Sequence, residues 1–431
     1  MSTLVLQWFC RNLSELISGM MTAWLPHANA AGWRRHTPSL GSVCRRRYRV
    51  SSVIREHASL RSSGGKKTLC GICGKRHGSG YDRARRRIRD LSCGEFHIYL
   101  DVEVRRLYCR QCRVVKRERL ALLGENAHHT ARFARYVGWR CAKGTIKDIA
   151  KELRLSWHTV KELDKQYMRE QLKRANPPNP KVIGIDEISI RKGRDYRIVV
   201  SDLERRRPIW FGGKDRSEES MDEFYRFLGE KKAKKIRLAV MDMWKAFHNS
   251  TTRHAPQAAI LYDKFHVINH LGKAIDKTRT EEYARLKGKH RKFIKGQKYA
   301  LLSHRQNLTG TARKNLKLPL SGNQRLNIAY LLKESFGQLW DYRSETWARK
   351  FFENWCGQLK RQRLKHYEKL AEMIDSHWDG IAAYCRPENK IALGFVEGLN
   401  NKIRVIQRRA YGLRDEEYFR LKVLTCTLPL H

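Results

Sequence analysis

The sequence predicts a multidomain chain: a zinc ribbon and a helix-turn-helix, then an α/β domain followed by an all-helical block. Three observations predict this architecture. Two short-spaced cysteine pairs lie among alternating, strand-like runs, and a helical pattern follows them. Beyond PPNP, at 177–180, apolar strand-like runs alternate with helices, which is typical of an α/β domain with a mixed sheet.

The composition shifts divide the chain into consecutive segments. Residues 1–66 lack sustained periodicity and end in the linker-like SLRSSGGKK. They form either a small basic accessory region or a disordered extension with no fold of its own. The other predicted segments are the zinc ribbon at 67–120, the helix-turn-helix at 121–176, the first part of the α/β domain at 181–280, the helical block at 281–390 and the final helices at 391–431.

The 431-residue chain is strongly basic, with 89 Lys and Arg against 43 Asp and Glu and a formal net charge of +46. The excess is spread along the whole sequence, so it concentrates polyanions, and nucleic acid is the expected partner. No apolar run has transmembrane length. The apolar N-terminus is interrupted by Arg11 and Glu15, which does not fit a signal peptide. We therefore expect a cytoplasmic protein without membrane association.

Two C-x-x-C pairs, CGIC and CRQC, predict a structural zinc site. Eleven cysteines in a chain of this size do not indicate a disulfide scaffold. Two knuckles brought together by a hairpin would supply four thiolates in a tetrahedron, which suits Zn²⁺. A redox pair is the alternative, and His77 and Cys93 are close enough in sequence to substitute as ligands. The predicted ligands are Cys70, Cys73, Cys109 and Cys112.

Basic and aromatic residues around the cysteine pairs predict DNA contacts. The run RARRRIR, between the two pairs, would lie along phosphates through Arg85, Arg86 and Arg87. In TIKDIAKELRLSWHTVKELDKQY, Ser156 is placed to cap the second of two helices. The face that this helix would offer to a major groove carries Trp157, His158, Thr159 and Lys161. The alternative is an ordinary helical hairpin without a role in DNA binding, because the same spacing of apolar residues would fit it.

The helices of this motif have a predicted apolar core. Two crossing helices would bury one side of each against the other. The residues that would form this buried set are Ile146, Ile149, Ala150, Leu153, Leu155, Val160 and Leu163.

Three carboxylates are candidates for a metal-dependent catalytic site. Asp186 and Asp242 each end an apolar strand-like run, and Glu397 lies early in a basic amphipathic helix. Phosphodiester chemistry with two divalent ions needs carboxylates on rigid elements, and a bridging ligand, for which Asp186 is the natural choice. Strand-end aspartates can equally be caps or ion pairs. Glu187 points to the opposite sheet face, so we expect it to pair with a base.

The ordered motifs resemble the ISL3 family of bacterial insertion-sequence transposases over about residues 67–425. They are the C-x-x-C pairs, the helix-turn-helix, GIDE, AVMDMWKAF, YDKFHVINHL and VEGLNNKIRVIQRRAYG. The resemblance implies an RNase H-like catalytic domain whose triad, Asp186, Asp242 and Glu397, binds Mg²⁺ (or Mn²⁺). It also implies that an all-helical insertion separates the second and third acids, which are 155 residues apart.

The resemblance extends to further residues near the triad. Asp263-x-x-His266 is similar to a signature of insertion-bearing transposases, so His266 would contact the scissile phosphate or order the site. A core histidine with its hydrogen bonds satisfied is the alternative. The residues after Glu397 would contact phosphate or the cleaved strand end, or form a solvated basic face: Asn400, Asn401, Lys402, Arg408 and Arg409.

The function implied by the resemblance is that of a DNA transposase. It would bind terminal inverted repeats, cut the element's ends and join them to target DNA, as a homodimer or larger assembly in the bacterial cytoplasm, associated with the nucleoid. A transposase-derived transcriptional regulator lacking catalysis is the alternative, and a nuclease that cuts without joining is another. Three tryptophans of the helical block either stack on unpaired bases or form core: Trp340, Trp347 and Trp355.

Overall fold

The computed structural model describes residues 48–54, 57–62, 68–78, 80–92, 96–120, 122–123, 128–190, 195–287, 291, 294–360, 362–391, 394–410 and 413–429. The chain divides into two compact units, residues 1–170 with 430–431, and residues 171–429. In the part of the chain described, helices long and apolar enough to span a membrane are absent.

The first unit is built on a five-stranded sheet in the order β1-β2-β6-β5, with β7 also paired to β6. The long strand β6 alternates buried and half-buried positions, as expected for a strand with one face on a core. A small two-stranded sheet, β3 with β4, carries the first cysteine pair. The strands are β1 Tyr48–Ile54, β2 His57–Ser62, β3 Thr68–Leu69, β4 Arg76–His77, β5 Asp82–Arg89, β6 His97–Cys109 and β7 Val114–Arg117.

Strands β1 and β2 correct one sequence-based expectation. They lie within residues 1–66, where no periodic pattern predicted structure, yet β2 pairs in parallel with β6 over six residues. Residues 48–54 and 57–62 are therefore part of the sheet and not an extension with no fold of its own. Residues 1–47 lie outside the described part of the chain.

The first unit continues with three helices, α1 Ala131–Lys143, α2 Ile146–Leu153 and α3 Trp157–Arg174. Each begins at a hydroxyl cap: Thr130, Thr145 and Ser156 accept hydrogen bonds from backbone N–H groups three residues later, at 3.2, 3.2 and 3.1 Å. The predicted core set is buried or half-buried, with Val160 fully enclosed. The helix pair α2–α3 is therefore the predicted helix-turn-helix, and Ser156 is its predicted cap.

The second unit contains a mixed five-stranded sheet in the order β10-β9-β8-β11-β12. Strand β8 pairs antiparallel with β9, and β9 antiparallel with β10, whereas β8, β11 and β12 are mutually parallel. This is the mixed sheet that the alternating strands and helices predicted. Its strands are β8 Val182–Ser189, β9 Tyr196–Asp202, β10 Arg207–Gly212, β11 Leu238–Met241 and β12 Ala259–Tyr262.

Helices cover this sheet and fill the region after it. Strands are absent from the described residues after β12, as the sequence predicted. Short 3₁₀ turns lie at 305–307, 337–341, 383–385 and 387–389. The helices are α4 Glu218–Leu228, α5 Glu230–Ala233, α6 Lys245–His254, α7 Lys264–Arg285, α8 Lys298–Leu302, α9 Gly310–Ser321, α10 Gln324–Phe336, α11 Glu345–Leu359, α12 Lys365–Ser376, α13 Trp378–Ala382, α14 Gly394–Arg409 and α15 Glu416–Thr425.

The three tryptophans of the helical block differ in exposure. Trp340 and Trp355 belong to the core, and the indole of Trp355 donates a hydrogen bond to the carbonyl of Leu332 at 3.0 Å. Trp347 is 61% exposed. Trp340 and Trp355 are therefore core residues, which was the alternative to base stacking for these tryptophans.

Helix α14 packs directly on β8 at Gly184. A Cβ at this position would lie 2.9 Å from Leu203 Cδ2 and 3.0 Å from Val396 Cγ2, so a side chain here would displace the helix. Val396 shares a cluster with Val182 and Val240, on one face of the sheet. The glycine therefore allows the first turn of α14 to approach β8 beside Asp186.

Candidate active site

Asp186 and Asp242 lie beside each other on neighbouring parallel strands. The β8–β11 register runs to Val240 opposite Gly184, so two further residues bring Asp242 level with Asp186. Because side chains alternate between faces, both aspartates share the face of Val182 and Val240. Asp242 directly follows β11, as expected for a strand-end acid. Asp186, in contrast, lies inside β8 and not at its end, because pairing with β9 continues the strand to Ser189. Parallel pairing of β8 with β11 therefore brings the first two acids together.

Helix α14 brings the third acid to the same edge of the sheet. Glu397 lies exposed in its first turn, and Asn400, 8% exposed, follows one turn later. The Asn400 side-chain amide donates to Asp186 Oδ2 at 2.5 Å, which fixes the helix beside the first acid. The sequence suggested Asn400 as a contact for DNA; the structure corrects this, because the side chain is buried against Asp186.

The acids also interact through their charges. Burial raises the pKa of Asp263, and the negative charges of Asp242 and Glu397 raise it further, so Glu397 lies within electrostatic reach of the strand ends. Among the described residues, three potential ligand atoms lie within 4.8 Å of one another only in the cysteine cluster. The oxygen atoms of Asp186, Asp242 and Glu397 are therefore farther apart than the ligands of a single ion. A site for two ions about 3.5–4 Å apart needs a wider spacing than a site for one.

The described hydrogen-bond donors to the Asp186 carboxylate carry no charge. Its Oδ1 accepts the backbone N–H of Glu187 at 2.8 Å and its Oδ2 accepts the Asn400 amide, and both donors are neutral. Burial, together with the negative charge of Glu187, raises the pKa of Asp186 to about 6, and the two hydrogen bonds and the positive charge of His266 only partly offset this. A divalent cation would supply the missing positive charge, so the carboxylate suits such an ion.

Asp242, unlike Asp186, accepts a hydrogen bond from a side chain that can carry a positive charge, His266. The distance from His266 Nδ1 to Asp242 Oδ2 is 3.1 Å. This hydrogen bond raises the pKa of His266 to about 9, so the imidazole is protonated at neutral pH. Burial would raise the pKa of Asp242, but the hydrogen bond and charge of His266 bring it below the usual range.

The Asp263-x-x-His266 motif has a local structural explanation. The carboxylate of Asp263 caps helix α7 by accepting the N–H of Phe265 at 2.8 Å. His266 then lies in the first turn of α7, from which it reaches Asp242. The histidine is thus bonded within the candidate site and is not one satisfied elsewhere in the core.

Glu187 lies on the other face of the sheet and pairs with Arg216 at 3.2 Å, which confirms the expected basic partner. The Arg216 guanidinium lies between two aromatic rings, 4.5 Å from the Tyr196 centroid and 4.6 Å from the Trp244 centroid. Sequence analysis did not identify this cluster, because its members are distant along the chain.

The four predicted zinc ligands converge. Their sulfur atoms all lie within 4.8 Å of one another, and Cys73 and Cys109 are 3.6 Å apart. A tetrahedral Zn²⁺ with bonds of 2.3 Å separates its sulfurs by about 3.8 Å, so the geometry fits zinc. Backbone N–H groups of Ile72 and Cys73 lower the pKa of Cys70 to about 7. His77 is not in the cluster, and Cys93 lies outside the described residues.

The residues predicted to contact DNA lie mainly on exposed surfaces. Arg85, Arg86 and Arg87 are exposed on the edge strand β5. Trp157 is 52% exposed at the start of α3, and its ring stacks on His158 with centroids 3.6 Å apart. The remaining predicted contacts are the half-buried Thr159 and Lys161 on α3 and the exposed Asn401, Lys402, Arg408 and Arg409 on α14.

Comparisons with known proteins agree with the three parts of the chain. Residues 66–112 match the zinc-finger of transposase IS204/IS1001/IS1096/IS1165, residues 118–168 match the helix-turn-helix domain of transposase family ISL3, and residues 183–423 match the transposase model of ISL3. A transposase for insertion sequence element IS1001 from Bordetella parapertussis is 35% identical over 83% of this chain and 88% of its own length. Transposases for element IS1557 from two Mycobacterium tuberculosis strains are each 27% identical, over 81% of this chain and 83% of theirs.

Proposed function

Because the chain belongs to the ISL3 family of transposases, we propose that it cuts the DNA ends of an insertion sequence and joins them to target DNA. The observation that carries this proposal is the level placement of Asp186 and Asp242 on parallel strands, with α14 bonded beside them through Asn400. The strand order, three antiparallel and then two parallel strands, supports an RNase H-like catalytic domain. The helical block between Asp242 and Glu397 is then its insertion.

Asp186, Asp242 and Glu397 would hold the divalent cations, Mg²⁺ or Mn²⁺. When bound, such ions activate the attacking oxygen and stabilise the leaving oxygen of the phosphodiester. The partly buried Asp186, whose described hydrogen-bond donors are neutral, fits this role because the charge of His266 compensates its own only in part. His266 contributes a fixed positive charge at Asp242, which holds that carboxylate ionised and oriented.

The first unit would bind the terminal inverted repeats. The α3 face that begins with the exposed Trp157 suits a major groove, and the arginines of β5 suit the phosphate backbone. Zinc at the cysteine cluster would fix the ribbon. Two element ends must meet for joining, so the active form would be a dimer or larger assembly on bacterial DNA, in the cytoplasm at the nucleoid.

A strand-transfer assay tests the proposed function. Wild type, Asp186→Asn and the exposed control Glu368→Gln are incubated with Mg²⁺, a labelled inverted-repeat end and a target plasmid. We expect joined product from wild type and the control, and at least a 100-fold loss with Asp186→Asn while end binding is retained. Cut ends without joined product from wild type would indicate a nuclease. Binding by wild type without any cleavage would indicate a regulator without catalysis.

A further inference from the structure

Trp244 is an exposed aromatic residue at the edge of the candidate site. It follows Asp242 by two residues, immediately before helix α6, and 41% of it is exposed. Large aromatic side chains are usually buried in the core, as Trp340 and Trp355 are here. The exposure of Trp244 beside a catalytic acid therefore calls for an explanation.

The orientation of the exposed ring is fixed by its neighbours. The indole N–H donates to the backbone carbonyl of Arg216 at 2.7 Å, and the Arg216 guanidinium lies over the ring. Tyr196 covers that guanidinium at 4.5 Å, and Glu187 pairs with it at 3.2 Å. These contacts hold the ring in one orientation, and the part of the indole that they do not cover remains exposed to solvent.

The backbone of Trp244 also lies close to that of Asp242. Two residues of chain span at most about 7 Å, and successive stacked bases are about 3.4 Å apart. A strand whose phosphate is held at Asp242 therefore has a neighbouring base within reach of Trp244. A preorganised aromatic face is what an unpaired base needs for stacking, and the net charge of +46 favours a polyanionic partner.

We propose that Trp244 is the platform on which the base next to the cut phosphate stacks once it leaves the duplex. This inference rests on the proposed function, and it names the substrate state that the site prefers: a strand end with its terminal base unpaired. Arg216 is the positioning residue, since it holds the indole from behind through its ring contact and its carbonyl.

The test uses a pre-cut inverted-repeat duplex with 2-aminopurine as the terminal base of the strand to be joined. The fluorescence of this base reports its stacking, and a second duplex carries the probe at an internal position. Trp244→Phe keeps a flat ring, whereas Trp244→Leu keeps apolar packing without one. Phe227→Leu is the matched control, because Phe227 on α4 is also an exposed aromatic residue, at 58%, and has no proposed role in the site.

We expect wild type, Trp244→Phe and Phe227→Leu to change the fluorescence of the terminal probe and not that of the internal probe. Trp244→Leu should lose this change and need about five- to hundredfold more DNA for half-maximal joining. Equal behaviour of the Leu and Phe variants would overturn the proposal, as would a wild-type signal at both probe positions. Failure of wild type to join any end would instead overturn the proposed function, even with the terminal signal intact.

Discussion

Replacing Asp186 by asparagine is expected to stabilise the protein at neutral pH in the absence of divalent ions. The pKa of Asp186 is raised to about 6 in the fold against an ordinary value of 3.8, mainly by burial. Folding therefore disfavours the ionised form. Below the ordinary value the carboxyl is protonated in both states and nothing is lost, whereas above about pH 6 the fold carries the full penalty.

The size of this effect follows from the two pKa values. At 1.36 kcal/mol per pH unit, a pKa of about 6 instead of 3.8 costs the folded state about 3 kcal/mol at pH 8. Asparagine is isosteric and uncharged. Its amide can donate to Asn400 Oδ1, an atom without a hydrogen-bond partner among the described residues, if the Asn400 amide turns over. Asp186→Asn should therefore gain up to about 3 kcal/mol at pH 8 and nothing at about pH 3.5.

The assay is urea unfolding followed by tryptophan fluorescence, at both pH values and without divalent ions. Saturating Mg²⁺ should stabilise wild type but not Asp186→Asn. Asp242→Asn is the matched control with the opposite sign, since the pKa of Asp242 is lowered and its pairing with His266 stabilises the fold. An Asp186→Asn variant that is no more stable than wild type at pH 8, or equally shifted at both pH values, would refute the reasoning.

Three further results are expected. Gly184→Ala should push Leu203 and Val396 away and move α14, lowering strand transfer at least tenfold in the assay above, with end binding unchanged in a gel shift. His266→Gln should move the acid limb of the pH–rate profile to higher pH, because the histidine charge lowers the pKa of Asp242; an unmoved limb would contradict this. Cys109→Ser should lose the zinc measured by atomic absorption, whereas Cys356→Ser, outside the cluster, should retain it.

Local patterns predicted much of this fold. Alternation of side chains along β8 put Asp186 and Glu187 on opposite faces and predicted a basic partner for Glu187, and its pairing with Arg216 confirms that partner. Ser156 was identifiable as a cap because the cap and the amide that it satisfies are three residues apart. The cysteine pairs likewise needed only short spacing and a hairpin between them.

Features that depend on distant contacts were not predictable in this way. Asn400 looked like one more polar residue of a basic helix, because its bond to Asp186 exists only once α14 has packed against Gly184. Strands β1 and β2 were missed because their sequence lacks a clear period of two, and pairing with β6 completes them. The stacking of Arg216 between Tyr196 and Trp244 joins three separate elements.

Iron-mediated cleavage of the protein backbone tests most directly whether the three acids share the metal site. Fe²⁺ substituted for Mg²⁺, with ascorbate and peroxide, produces radicals that cut the chain next to the ion. We predict cuts near Asp186, Asp242 and Glu397 in one sample, all suppressed by excess Mg²⁺ and all lost in Asp186→Asn. Cuts confined to the chain near Asp186 and Asp242, with none near Glu397, would contradict the account.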